Sequence, residues 1–304
     1  MKSRTRCPAC LSTSVTVAYE EPYRGAGIQG YLKTHYEGRA TASADAYTFR
    51  IGRCGDCGLA FQQQVPDDEL LGELYNHWVP STGLERNHRD YNLDQYRNLA
   101  EQVPFVIAYF GLPPSQLNVL DFGFGWAHFA RMAMGYGCAV SGIELSAERR
   151  SHGESVGIRV VDLEELPPQQ YRFINAEQVF EHLTEPRQVL ERLMASLAPD
   201  GIVKINVPNA VASLKKLGRG TGFGDLSPDE QMTVAPLEHI NAFCADSLEA
   251  FGKTVGLKPL RPSFRQLYNS ASGLLEPRTL ARTLLRPVYR HVYPRSTFMY
   301  FRRA

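Results

Sequence analysis

The sequence predicts an α/β protein with a doubly wound, mainly parallel sheet, preceded by a small cysteine-containing domain. Three observations predict this fold class. Short apolar segments alternate with helical patterns from residue 117 onward. Two glycines, Gly123 and Gly125, come at the end of the first apolar segment. Two Cys-x-x-Cys pairs lie within residues 1–65. Strands that alternate with helices over this length imply a parallel sheet covered on both faces.

The composition is that of an ordinary globular protein, and it narrows the class of function. The 304 residues are 43% hydrophobic and 21% charged, which suffices for one large and one small domain. Lys and Arg number 33 against 32 Asp and Glu, a balance that argues against a general nucleic-acid binder. No apolar run approaches the roughly 18 residues of a membrane span, and the basic N-terminus precedes no apolar stretch. We therefore expect a cytoplasmic protein without a signal peptide.

Four of the cysteines form two identical pairs, Cys7-x-x-Cys10 and Cys54-x-x-Cys57. Two residues between thiolates let one turn direct both sulfurs at one ion, and two such turns complete a tetrahedral set suited to Zn²⁺. A reducing cytoplasm disfavours disulfides, and a redox Cys-x-x-Cys does not explain two copies. Four protein ligands leave no open position for water, so the spacing predicts a structural zinc site.

Three consecutive regions are predicted along the chain. Residues 1–65 form the zinc-binding module, whose middle, residues 19–47, we expect to contain loops and short strands. Residues 66–111 form a helical connector or cap that is broken near residue 80. Residues 112–304 form the large domain, which is Rossmann-like because its strands and helices alternate.

Each element of the large domain is predicted from its local pattern. An apolar run indicates each strand, and the amphipathic stretch that follows indicates each helix. The predicted strands cover residues 117–122, 139–145, 158–162, 171–176, 202–207, 258–267 and 297–302. The predicted helices cover residues 127–136, 146–156, 185–197 and 246–255.

Glycines and acidic residues lie at successive strand ends of this domain. Gly123 and Gly125 let the backbone turn sharply, and the N-terminus of the next helix offers unpaired N–H groups. Glu144 follows about 20 residues later, where a ribose-binding carboxylate is expected. Asp162 ends the third strand, and Asp121 lies in the first. One such acid alone is commonly a solvated loop residue, but three in one crevice indicate a nucleotide-containing cofactor.

Several motifs, in the expected order, resemble those of class I S-adenosylmethionine-dependent methyltransferases. Residues 119–125 (VLDFGFG) look like the glycine motif of that family, and residues 142–146 (GIELS) are similar to its ribose motif. Its fourth-strand segment, the following turn and its fifth strand resemble residues 175–183 (NAEQVFEHL), 197–201 (LAPDG) and 206–209 (NVPN). The resemblance covers residues 118–255 well and is specific for the cofactor but not for the substrate.

The resemblance implies a role for each matching position. Asp121, Gly123 and Gly125 would hold the methionine end of S-adenosylmethionine. Glu144 would bind both ribose hydroxyls, and Asp162 would meet the adenine amino group. The chain is therefore expected to be a methyltransferase that uses this cofactor.

Three further positions complete the cofactor-binding residues that the resemblance implies. Glu177 would line the cofactor beside the transferable methyl group, and Phe124 and Leu145 lie within the matching motifs. The chain departs from the family at Ala127, where a third glycine is common. A nicotinamide cofactor is the competing interpretation, but His128 occupies the place of the third glycine that such a site requires.

Two histidines are candidates for the catalytic base that takes a proton from the acceptor. His182 follows the fourth strand, and a packing or capping role at a helix start is the alternative interpretation. His239 lies on the long segment after the fifth strand, where a hydrogen-bonded structural role is the alternative. We predict that His239, assisted by Glu238, is the base in preference to His182, because that segment is expected to cover the crevice.

A zinc module joined to a methyltransferase resembles the deoxysugar C-methyltransferases of antibiotic pathways. In that subgroup a histidine on a comparable Glu-His segment serves as the base. Those enzymes carry an additional C-terminal domain for which this sequence is too short, so the resemblance to the subgroup is partial.

Four arginines recur at four-residue intervals near the C-terminal end of the sequence. On a helix they would form a basic stripe beside an apolar one, as a solvated surface helix also would. The other interpretations are binding of an anionic substrate, such as a nucleotide-sugar diphosphate, and contact with a membrane surface. Pro287 would interrupt the stripe. The four residues are Arg278, Arg282, Arg286 and Arg290.

These patterns predict S-adenosylmethionine-dependent methyl transfer to a small molecule. A sugar or nucleotide-sugar of glycan or secondary-metabolite biosynthesis is the expected acceptor, and no nucleic-acid partner is expected. The alternative is an adaptor whose zinc module binds RNA or protein and whose methyltransferase fold serves as a scaffold.

Overall fold

The structure is a computed structural model, and it describes residues 1–40, 45–78, 90–262, 277–292 and 296–303. The chain divides into two compact units, each assembled from three segments of the sequence. The seven-strand unit comprises Arg89–Val179, Leu190–Asn206 and Val255–Ala304. The four-strand unit comprises Met1–His88, Phe180–Val189 and Val207–Thr254.

The elements are numbered here in chain order. The strands are β1 (Lys2–Ser3), β2 (Val15–Pro22), β3 (Thr48–Cys54), β4 (Ala60–Gln62), β5 (Gln64–Val65), β6 (Asn118–Phe122), β7 (Ala139–Ile143), β8 (Arg159–Val160), β9 (Tyr171–Glu177), β10 (Leu197–Pro208), β11 (Asn241–Ala242), β12 (Leu257–Leu260) and β13 (Ser296–Arg303). The helices are α1 (Ala26–His35), α2 (Asp68–Glu73), α3 (Leu93–Phe110), α4 (His128–Gly135), α5 (Ala147–Ser155), α6 (Pro186–Ser196), α7 (Val211–Leu217), α8 (Pro228–Thr233), α9 (Ala245–Lys253) and α10 (Pro277–Val292).

The sheet of the seven-strand unit has the order β12-β13-β10-β9-β6-β7-β8. The five strands from β10 to β8 pair in parallel, and β12 pairs with β13 antiparallel. The prediction of an α/β protein with a mainly parallel sheet is therefore confirmed. The chain reverses its direction of travel across the sheet between β6 and β9, which is where such folds bind ligands beyond the carboxyl ends of their strands.

The strands of this unit follow the predicted apolar runs, with one difference in the middle of the sheet. β10 begins at Leu197 rather than at Ile202, and its pairing with β9 shifts register between these two residues. Residues 198–201 form the irregular stretch, because Pro199 cannot donate a hydrogen bond to a neighbouring strand. The predicted strand over residues 258–267 is short in the structure, where β12 ends at Leu260, and residues 263–267 lie outside the described residues.

The four-strand unit contains an antiparallel sheet of order β11-β4-β3-β2 and a separate antiparallel pair of β1 with β5. α1 lies within residues 19–47, where the sequence predicts loops and short strands. The sequence does not predict α1 because the segment contains two glycines and its apolar pattern is weak. The helix is held by its buried residues Ile28, Tyr31 and Leu32, which pack into an aromatic-rich core with Phe49 and Phe223.

The basic stripe near the C-terminal end lies on α10, a continuous helix that includes Pro287. Arg282 is exposed, whereas Arg286 forms an ion pair with Glu101 of α3. The side chains of Arg278 and Arg290 lie outside the described residues. Among the helices that the structure describes, none combines the length and apolar character needed to cross a membrane.

The contact of α1 with the Phe223 turn generates a stability prediction. A Cβ at Gly27 would lie 2.8 Å from the backbone nitrogen of Gly224, whereas a Cβ at Gly30 on the same helix meets nothing within 4 Å. Gly27→Ala should therefore lower the free energy of unfolding by about 1–3 kcal/mol. Gly30→Ala should leave it unchanged or raise it by up to about 1 kcal/mol. Chemical denaturation of both variants measures the difference, and equal effects would contradict this packing.

Candidate functional site

The turn from β6 into α4 requires a backbone conformation that favours glycine. Gly123 has φ +73°, and a Cβ there would overlap the side chain of Val179. Gly125 has φ +54°, and the space where its Cβ would stand is open. Ala127, which replaces the family's frequent third glycine, also has a positive φ of 64°. The glycine turn is thus closed on one side by Val179 and open at Gly125, where a ligand can approach the backbone.

The carboxylate of Glu144 joins the glycine turn to the end of β7. Its Oε2 accepts a hydrogen bond from the backbone N–H of Gly125 at 2.9 Å. Its Oε1 accepts from the N–H groups of Leu145 at 2.9 Å and Ser146 at 3.0 Å. Only 8% of Glu144 is exposed. Oε1 thus accepts two hydrogen bonds and Oε2 one, so Oε2 retains an acceptor site that a ribose hydroxyl can use.

Asp121, the predicted methionine-end residue, is buried within the sheet. Its carboxylate accepts a 2.8 Å hydrogen bond from the side-chain amide of Asn175 on β9. Burial raises the pKa of the Asp121 carboxyl to about 7, although the Asn175 bond opposes that rise. The protonation state of Asp121 is therefore sensitive to any charged ligand that binds beside it near neutral pH.

Arg150 bridges the ends of β7 and β8. Its guanidinium donates to the backbone carbonyl of Glu144 at 3.1 Å and to the predicted adenine contact Asp162 at 2.7 Å. Leu145 is 90% exposed beside this bridge. Phe124, by contrast, belongs to an apolar cluster of the unit and is only 5% exposed. Of the two motif residues, Leu145 therefore offers the more accessible apolar side chain.

Glu177, predicted beside the methyl group, lies at the end of β9. Its carboxylate forms an ion pair with Lys204 and accepts from the side chain of Asn206, both on β10. Lys204 also donates to Gln102 of α3 at 2.6 Å. Lys204 is missed by the sequence analysis and Asn206 is placed only in the fifth-strand motif, because strand pairing is what brings both residues to Glu177.

The two candidate histidines lie side by side in the four-strand unit, with a carboxylate beside them. The ring centroids of His182 and His239 are 4.7 Å apart, and Nε2 of His182 is 4.0 Å from Oε1 of Glu181. Nδ1 of His182 lies 3.1 Å from the backbone carbonyl of Glu238, and Nδ1 of His239 has no hydrogen-bond partner among the described residues. Burial lowers the pKa of both histidines, that of His239 to about 3, so both imidazoles are neutral at pH 7.

The carboxylate of Glu238 forms its hydrogen bonds with His35 and Tyr36, whereas the sequence analysis expects it to assist His239. Its Oε1 accepts hydrogen bonds from Nε2 of His35 at 2.8 Å and from the hydroxyl of Tyr36 at 2.6 Å. Burial acts to raise the pKa of Glu238, but these bonds outweigh it and lower the pKa below its usual value. The preceding residue, Leu237, has φ +72°, a strained conformation that persists only where the surrounding contacts impose it.

Three polar residues that the sequence analysis missed hold the loops that carry the histidines. The side-chain amide of Asn241 donates to the carbonyls of Phe180 and Leu183, which flank the Glu181–His182 pair. Arg4 donates to Oδ1 of Asn241 at 2.9 Å. Gln62 donates to the carbonyls of Ala235 and His239 and accepts from the N–H of Leu237. No sequence motif marks these residues, because their partners are backbone groups distant in the chain.

The four predicted zinc ligands lie together in the four-strand unit. Their sulfurs are all within 4.8 Å of one another, with Cys7 Sγ 3.4 Å from Cys57 Sγ and Cys10 Sγ 3.5 Å from Cys54 Sγ. Zinc–sulfur bonds of about 2.3 Å place tetrahedral thiolates about 3.8 Å apart. The donor set and its spacing therefore fit a zinc ion.

The two Cys-x-x-Cys turns have the same backbone conformation. In each, the fourth residue after the first cysteine donates to that cysteine's carbonyl: Leu11 to Cys7 at 2.9 Å and Gly58 to Cys54 at 3.1 Å. Both donors have positive φ, 63° at Leu11 and 73° at Gly58. A non-glycine residue rarely adopts this conformation, so its presence at Leu11 indicates that the turn is imposed by its surroundings.

Comparison with known proteins bears on the family and the fold. The chain matches the family described as "Methyltransferase domain" over residues 87–261, more than half of its length. The plantazolicin methyltransferase BpumL, in complex with a monoazolic desmethylPZN analog and SAH, is 14% identical, with 77% of this chain and 93% of BpumL covered and a TM-score of 0.51. BamL, in complex with a triazolic desmethylPZN analog and SAH, has the same identity, coverage and TM-score.

A third similar structure is magnesium protoporphyrin IX methyltransferase from Synechocystis PCC 6803 with bound SAH. It is 17% identical, with 78% of this chain and 100% of that chain covered and a TM-score of 0.48. No curated protein sequence matches significantly. At these identities the structural likeness concerns the fold, and the family match assigns the chain. This protein therefore belongs to the methyltransferase domain family, with the fold of methyltransferases solved with S-adenosylhomocysteine.

Proposed function

We propose that this protein transfers the methyl group of S-adenosylmethionine to a small-molecule acceptor, a sugar or nucleotide-sugar of glycan or secondary-metabolite biosynthesis. The observation that carries the proposal is the bond between Glu144 and the N–H of Gly125 at the carboxyl ends of two adjacent parallel strands. It supports a ribose contact beside an open glycine turn. Asp162, positioned by Arg150, would meet the adenine, and Glu177 would lie toward the methyl group.

Methyl transfer from a sulfonium is an in-line displacement. The acceptor atom forms a bond to the methyl carbon as the carbon–sulfur bond breaks, and S-adenosylhomocysteine leaves. Because the leaving group is already good, much of the rate enhancement comes from placement of the acceptor. A hydroxyl acceptor must also lose a proton. We assign that proton to Nδ1 of His239, which is buried and lacks a hydrogen-bond partner in the described structure. Glu238 would act by holding the His239 loop through His35 and Tyr36.

Binding of the cofactor is tested by calorimetric titration of the purified protein with S-adenosylmethionine. Glu144→Ala should weaken binding at least about tenfold, because it removes the ribose acceptor and loosens the glycine turn. Glu148→Ala removes an exposed carboxylate from the first turn of α5 and should bind as the wild type does. No binding by the wild-type protein would refute the activity, and full-strength binding by Glu144→Ala would refute the ribose contact.

Replacement of the proposed base separates catalysis from cofactor binding. His239→Ala should lower turnover by roughly 10²–10⁴-fold and leave the affinity for S-adenosylmethionine nearly unchanged. In the wild-type protein, Nδ1 of His182 contacts the backbone carbonyl of Glu238. His182→Ala removes this contact and should instead lower the thermal unfolding temperature. Full turnover by His239→Ala on the true acceptor would show that His239 is not the base.

Besides the cofactor contacts and the base, we propose a structural zinc ion in the four-cysteine cluster. Metal analysis of freshly purified, reduced protein should find one cysteine-bound Zn²⁺ per chain, and Cys54→Ser should lose it and make residues 1–65 sensitive to proteolysis, because zinc binding contributes folding free energy. Cys244→Ser is the matched control, since Cys244 lies outside the cluster. Its zinc content should be unchanged. Absence of zinc from the wild-type protein would contradict the prediction.

A further inference from the structure

A second group of metal-ligating side chains lies in the four-strand unit, separate from the cysteines. It consists of Glu181, His182 and His239, called here the His–Glu cluster. One ligand atom from each residue lies within 4.8 Å of the other two. A catalytic base needs only one imidazole nitrogen to take a proton. The cluster brings together three ligand atoms, which is more than a base requires.

We propose that the His–Glu cluster binds a divalent transition-metal cation through the carboxylate of Glu181, Nε2 of His182 and Nδ1 of His239. Two imidazoles and one carboxylate are a donor set that suits iron, manganese, cobalt, nickel or zinc in the divalent state. Metal bonds of about 2.1 Å hold ligand atoms roughly 3–3.5 Å apart, so the three atoms need to converge by about 1 Å.

The imidazoles are oriented as metal-binding histidines usually are. A ligating histidine commonly donates its other ring nitrogen to a backbone carbonyl, which fixes the tautomer and leaves the ligating lone pair available. Nδ1 of His182 lies 3.1 Å from the carbonyl of Glu238, so its Nε2 carries the lone pair. The ring of His239 interacts with the backbone of Met232, while its Nδ1 is buried without a hydrogen-bond partner in the described structure.

The loops that carry the three ligands are fixed by polar contacts that do not use the ligand atoms. Asn241 binds the carbonyls on both sides of the Glu181–His182 pair, and its own N–H donates to the carbonyl of Glu181 at 3.0 Å. Gln62 binds the carbonyl of His239 at 3.1 Å. The donor positions are therefore held in place by the backbone, as a metal site requires.

Three protein ligands leave coordination positions open, in contrast to the closed four-thiolate set. A bound cation would coordinate a water molecule or a hydroxyl of the methyl acceptor at an open position and lower the pKa of that water or hydroxyl. This role in methyl transfer rests on the proposed function, whereas the binding itself does not. A cation would occupy the same Nδ1 lone pair of His239 that the base would use, so the two forms of the cluster are alternatives.

The test is titration of the zinc-loaded, full-length protein with Co²⁺ in the absence of S-adenosylmethionine, followed by calorimetry and visible absorption. We expect one Co²⁺ per chain beyond the zinc, with d–d absorption but without the sulfur-to-cobalt charge transfer that cysteine ligands produce. No such binding by the wild-type protein would overturn the proposal, whatever the outcome of the cofactor titration.

Substitution of individual residues tests which side chains bind the Co²⁺ ion. Glu181→Gln and His239→Gln should each weaken Co²⁺ binding at least tenfold, while His77→Gln, which removes an exposed histidine of the same unit, should not. Thermal unfolding establishes that each variant is folded. If Glu181→Gln does not fold, His239→Gln and the wild-type spectrum still decide the question. Unchanged affinity in a folded Glu181→Gln or His239→Gln variant would overturn the assignment.

Discussion

One buried carboxylate accepts three backbone N–H groups, and the turns at the carboxyl edge of the seven-strand sheet depend on this constraint. Glu144 receives the N–H groups of Gly125, Leu145 and Ser146, and so joins the turns that follow β6 and β7. Parallel pairing brings the carboxyl ends of both strands to one edge of the sheet. The bond between Glu144 and Gly125 therefore fixes the glycine turn without a ligand, and this is the preorganisation that the proposed cofactor site requires.

The same principle operates in the four-strand unit through neutral amides instead of a carboxylate. Gln62 and Asn241 are almost fully buried, and their side chains bind backbone carbonyls of the loops around Glu181 and His239. Buried amides are costly unless they are hydrogen-bonded, so these contacts specify one arrangement of the loops. The strained backbone of Leu237 is accommodated there because Gln62 binds its N–H.

The two proposed metal sites in the described part of the four-strand unit differ in the number and the kind of their donor atoms. Four thiolates on two identical turns form a closed, soft set that suits a structural ion. The His–Glu cluster has three harder donors and an incomplete shell, which suits an ion that exchanges ligands. The sequence separates the two kinds of cluster: the thiolates occur as paired local motifs, whereas His239 is distant from Glu181 and His182 in the chain.

Local pattern determined the seven-strand sheet, the glycine turn and the positions of Glu144 and the cysteines, because each depends on residues close together in sequence. Short apolar runs that alternate with helical patterns indicate buried strands, and Cys-x-x-Cys directs two sulfurs without help from distant residues. Only the tertiary structure decided that α1 is a helix, since Ile28 and its neighbours gain stability from the core around Phe49. It alone also decided that the Glu238 carboxylate binds His35 and that His239 lies beside Glu181 and His182, because these contacts join residues that are distant in the chain.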